Sequence, residues 1–149
     1  MEYPDFNIDF VKRTITIIEE LSDKTDYEVT LLINCLFGLI VIPTEVDYDE
    51  YGACYKDYED YCELMIYEYS SKKPKKTSKR QLVKCMKNAL SHLHILTVPK
   101  DGKISAVIFK DKLKDDIDYH SKIRFTVENL KEFALVMAKK YLEIISNNE

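Results

Sequence analysis

Tryptophan is absent from this 149-residue chain, and glycine and proline are scarce, at 3 and 4 copies. So few turn-forming residues leave little room for an all-β fold of many tight turns. Long apolar runs are lacking too. The most apolar stretch, Leu31 to Ile42, contains one polar residue, Asn34, and is shorter than the roughly 20 residues that span a bilayer. No membrane association is expected. The four cysteines, Cys35, Cys54, Cys62 and Cys85, lack metal-like pairing, and read as buried, reduced thiols of a cytoplasmic protein. An acidic start, Met1-Glu2-Tyr3-Pro4-Asp5, is unlike a secretory signal. A glycine-rich phosphate loop, a serine elbow and an aspartate-rich metal loop are all missing. The expectation is therefore no metal and no cofactor, and any catalysis should be metal-independent. Positive charge is not in excess either, since the net charge of −4 does not announce nucleic-acid binding.

What is present is a chain of ordinary apolar content, 46%, and ordinary charge, 32%, which suits one globular domain over residues 1–149. Phe10, Val11, Thr14, Ile17, Ile18 and Leu21 recur at helical spacing and predict a first helix from about Phe6 to Leu21. Thr25 and Glu28 form a capping-box pattern for a second, core helix from about Asp26 to Val41. Within it Gly38 points to close approach of another helix, and Asn34 reads as a buried amide that needs a partner. Tyr51, Tyr55, Tyr58, Cys62, Met65 and Tyr69 step by three or four, which predicts a third helix with an aromatic core stripe. Ser78 and Gln81 offer another capping box for a helix that runs to His92. His94–Val98 and Lys103–Lys110 then read as a β-hairpin around Pro99-Lys100-Asp101-Gly102. A polar loop from Asp111 to Ser121, with His120, leads to a last helix capped by Thr126 and running to about Ser146.

Charge is segregated along the chain. From Glu45 to Glu68 there are nine acidic residues against Lys56; from Lys72 to Lys87 there are eight basic residues and no acid. The basic run is either a solvated loop neutralised within the fold or a rim that attracts RNA. Lys79, Arg80 and Lys84 are its candidate RNA contacts.

The stretch Cys85-Met86-Lys87-Asn88-Ala89-Leu90-Ser91-His92-Leu93-His94 organises the reading. It adds a cation (Lys87), an amide (Asn88) and an imidazole (His92) to an apolar ladder, and all three can project towards one side of the helix. A cation, an amide and a titratable base suit phosphate chemistry. The plain alternative is a helix end whose histidine sits in the negative field of the dipole. His94 reads as structural.

The basic residue, Asn88, three residues and His92 resemble the signature of the HEPN superfamily of helical domains, whose ribonuclease members carry Arg, four to six residues, then His. Lys87 stands where the family has Arg. Tyr27 to Glu45 (YEVTLLINCLFGLIVIPTE) resembles the second helix of a plasmid- and mobile-element-borne bacterial branch, so the likeness covers nearly the whole chain. It implies an all-α bundle of about five helices with a small β-hairpin insertion before the last. It implies a homodimer with a composite cleft, an RNA substrate, a toxin or phage-defence role, and an antitoxin partner. Lys87, Asn88 and His92 would be catalytic, with Glu28 and Asn34 as supporting polar residues. The alternative is a non-catalytic HEPN module that binds RNA, nucleotide or a partner protein.

Overall fold

Thr126 ends a strand and begins a helix, and this junction shows how the chain is layered. The computed structural model describes residues 6–41, 57–67, 74–75, 79–112 and 119–147. Among these are four α-helices: α1 (Phe6–Leu21), α2 (Glu28–Leu36, continued by a π-helical turn, Phe37–Val41), α3 (Lys79–His92) and α4 (Val127–Asn147). Five strands join them: β1 (Glu63–Tyr67), β2 (Pro74–Lys75), β3 (Ile95–Lys100), β4 (Lys103–Lys112) and β5 (Tyr119–Thr126). They form a single antiparallel sheet in the order β2-β1-β5-β4-β3.

The sheet overturns the expectation of an all-α bundle with a hairpin insertion. The hairpin is there, with Lys100 opposite Lys103 and its tip in the left-handed region at Asp101 (φ 53°) and Gly102 (φ 76°), as a two-residue turn requires. But β4 also pairs with β5, and β5 with β1. The expected polar loop, Asp111 to Ser121, runs into β5 at Tyr119, and in that strand Ser121, Ile123 and Phe125 are buried while Lys122 and Arg124 are less so. That alternation is the period of a strand with one covered face.

The predicted third helix fails where it can be seen. Asp57 is left-handed at φ 62°, a 3-10 turn follows at Tyr58–Asp60, and the chain then extends as β1. Leu64 lies opposite Ile123, so the apolar residues there answer to β5 rather than to a helical stripe. Tyr51 and Tyr55 lie outside the described residues, as does Cys54. Tyr58 is buried and does join the core.

One face of the sheet carries the core. Val107, Phe109, Ile123 and Phe125 are fully buried on it. Phe125 stacks between its neighbours, edge-on to Phe109 at 5.8 Å and tilted against Phe133 of α4 at 5.1 Å. α3 lies chiefly against β4, α4 against β4 and β5, and α1 along α4. Two exposed ion pairs join α4 to the end of α1 and the turn after it, Lys139–Glu19 at 3.2 Å and Lys131–Asp23 at 2.9 Å. Such pairs are worth at most about 1 kcal/mol each, so the α1–α4 contact rests on apolar residues such as Val11 and Ile18.

Local signals at the helices were mixed. α1 has the predicted bounds, and Thr126 caps α4 by accepting the Asn129 N–H at 3.2 Å. Thr25 instead accepts from Tyr27 N at 3.1 Å, so the capping box of α2 does not form. Gly38 marks a close approach: a Cβ there would sit 2.5 Å from Cζ of Phe10 on α1. Asn34 is exposed, contrary to its reading as a buried amide.

Candidate functional site at the end of α3

α3 is amphipathic because Leu82, Val83, Cys85, Met86, Ala89 and Leu90 bury one side against the sheet and the turn after α2. Lys84 and Ser91 are exposed, Lys87 and Asn88 are half-buried, and His92, the last helical residue, is exposed. Lys84, Asn88 and His92 follow one another at four-residue spacing, so they form one stripe along the helix. Lys87 does not share it. Five residues at 3.6 per turn put Lys87 about 140° round the axis from His92. Lys79 and Arg80 belong to the first turn of α3, and their side chains lie outside the description, as does that of His120.

Asn88 is anchored. Its Nδ2 donates to Oδ1 of Asp111 on β4 at 3.1 Å. Asp111 is buried, its register partner Ser121 is fully buried, and Cys85 lies beside both. Burial pushes the Cys85 thiol up to about 12; the Asp111 charge adds to the rise, and a hydrogen bond from Ser121 opposes it. These four residues make a polar patch inside an otherwise apolar layer between helix and sheet. Asp111 and Ser121 were missed in the sequence because both flank what read as a loop. The usable signal was their place in the alternating runs of β4 and β5.

The end of α3 is set by backbone hydrogen bonds. The Leu93 N–H bonds to the Leu90 carbonyl at 3.4 Å and the His94 N–H to the Ala89 carbonyl at 2.9 Å, the paired bonds of a Schellman cap. Leu93 takes the left-handed position, at φ 53°, where glycine is usual. Its side chain is 74% exposed, so no burial offsets that conformation. The His94 carbonyl then accepts the Lys110 N–H at 2.9 Å, which ties the reversal to β4. As a result the His92 and His94 rings lie 5.8 Å apart, centre to centre, at 31°.

Glu28 and Asn34 do not join this group. Glu28 lines an open groove of about 520 Å³ with Thr25, Tyr27, Gly102, Lys103 and Val127. That groove is at the hairpin tip, and β3 runs about 17 Å from His94 to reach it. Asn34 is exposed on α2. Among the described residues no group of three or more His, Cys, Asp or Glu could hold a metal ion, and no helix is long and apolar enough to cross a membrane.

The site thus offers an exposed imidazole at a helix end, a second imidazole beside it, an anchored amide one turn back and a cation two turns back. A family model described as HEPN pEK499 p136 matches residues 1–148. No curated protein and no solved structure matches the chain.

Proposed function

Because the chain belongs to the HEPN pEK499 p136 family, we propose that it is a metal-independent endoribonuclease working as a toxin or anti-phage effector. The observation that carries this reading is the placement of Asn88 and exposed His92 one turn apart at the end of α3. His92 takes the proton of a ribose 2′-hydroxyl, whose oxygen attacks the adjacent phosphorus. A cation stabilises the charge that develops on the phosphoryl oxygens. The products are a 2′,3′-cyclic phosphate and a 5′-hydroxyl.

A homodimer fits this chemistry. Lys87 is about 140° from His92 on the same helix, so a second copy related by a twofold axis is the better source of a Lys87 cation at the phosphate. Lys79, Arg80 and Lys84 would hold the flanking RNA backbone. An antitoxin protein would then act by covering the α3 end.

One feature favours a second reading, a HEPN module that binds RNA, nucleotide or a partner without cleavage. Lys87 stands where the family's nucleases carry Arg, and Lys gives a point charge in place of a bidentate fork. The deciding experiment is an assay on single-stranded RNA with EDTA present, with end-group analysis and His92→Ala as control. Cyclic-phosphate ends that vanish in His92→Ala support the nuclease. Wild-type protein that binds RNA and leaves it intact supports the module.

A further inference from the structure

We propose that His92 and His94 of one chain form a two-imidazole phosphoester site, with His94 as the second proton-transfer group. The inference rests on the ribonuclease reading, and it changes what the dimer is for. Strand scission needs an acid for the departing 5′-oxygen as well as a base for the 2′-hydroxyl. With His94 in place the acid comes from the same chain, and the partner is left to supply only a cation.

The geometry carries this. The two rings are 5.8 Å apart and inclined at 31°, neither stacked flat nor turned edge to face. A phosphoryl group that accepts a hydrogen bond of about 2.8 Å from each ring spans a gap of this size. Neither ring sits on a loose loop. His92 ends α3, and the backbone of His94 is held on both sides, by its N–H to Ala89 and its carbonyl to Lys110. The left-handed turn at Leu93 is what brings residues two apart in sequence to face one substrate. Asp111, a buried carboxylate between helix and sheet, is engaged with Asn88.

In the step, the neutral imidazole accepts the 2′-hydroxyl proton as the 2′-oxygen–phosphorus bond forms. The phosphorus–5′-oxygen bond breaks, and the protonated imidazole gives its proton to the 5′-oxygen. One proton is taken up and one released, and exchange with water resets the pair.

The first test is an NMR titration of the wild-type protein with uridine 3′-monophosphate. Both imidazoles should shift with one common dissociation constant, and His94→Gln should weaken binding by about tenfold or more. Glutamine keeps both backbone hydrogen bonds that hold the turn at residue 94. A response from one ring alone, or unchanged affinity in His94→Gln, overturns the pair. The second test is RNA cleavage, where His94→Gln should lower kcat by about a hundredfold or more with little change in KM. Cleavage at wild-type rate in His94→Gln overturns the pair and leaves the ribonuclease reading intact. Wild-type protein that is inert, yet binds the nucleotide through both rings, retires the ribonuclease and the proton-transfer role of His94 with it, and leaves a two-imidazole binding site.

Discussion

The amide of Asn88 on α3 is bonded to the carboxylate of Asp111 on β4 at 3.1 Å. A residue that looked as though it should face substrate is therefore also a tie between helix and sheet. One N–H of the amide is used on Asp111, and Asn88 lies one helical turn before His92.

This tie has a measurable worth. Asp111→Ala leaves a half-buried amide N–H without its partner, and the cost should be about 1–3 kcal/mol of unfolding free energy. Urea melts of wild type and variant measure it. A change of only a few tenths would mean that water replaces the carboxylate without loss.

Leu93 offers a gain. A leucine at φ 53° strains the backbone, and glycine does not. Leu93→Gly should raise stability by about 1 kcal/mol, because the exposed side chain gives up little contact. Thermal melts that show a lower midpoint would mean that Leu93 packs on a surface formed in solution, such as a second copy.

The thiols respond to alkali in a definite direction. Burial pushes Cys62 and Cys85 up to about 12 and raises Cys35 as well. A folded-state value above the unfolded one means that the unfolded chain loses its protons first. Stability is thus intact below the ordinary thiol range and falls as pH rises from there towards 12. Urea midpoints should drop across that window. At about pH 8 all three should resist alkylation until the protein is unfolded, since the thiolate is the reactive form. Rapid labelling of folded Cys85 would contradict its burial.

The cations on α3 should separate by role. Lys84→Ala should weaken RNA binding and reduce the salt dependence of affinity by about one phosphate contact. Lys87→Ala should lower cleavage nearly as far as His92→Ala, while Lys87→Arg keeps or raises it. Binding measured across a salt series, with rates at saturating RNA, distinguishes the two. Equal behaviour of the Lys84 and Lys87 variants would argue against the helical stripe as the RNA track.

How much was legible in the sequence follows from what each signal depends on. α1, the hairpin tip and the Thr126 cap depend on neighbours in the chain, and they stand where local patterns put them. The sheet depends on pairing between distant segments. Glu63 to Tyr67 has no strand signal strong enough to compete with tyrosines at helical spacing until Ile123 is available opposite Leu64. The site was legible in part. His92 and Asn88 share a stripe because four residues make about one turn, whereas Lys87 was grouped with them against the helical angle. The bond between Asn88 and Asp111 could not be read, because it requires β4 to lie beside α3, and the ring contact of His94 depends on a left-handed turn at a leucine.

The topology also sets an order of assembly. Ile95 pairs with Phe109 across a short hairpin, while Glu63 must wait for Arg124. Contacts between near neighbours close sooner than those across long loops. The turn that holds both imidazoles therefore belongs to the early part of the fold, and β1 to the late part. In native-state amide exchange, protection at His94 and Lys110 should outlast protection along β1, so a transient opening that frees β1 from β5 would leave the paired histidines in place.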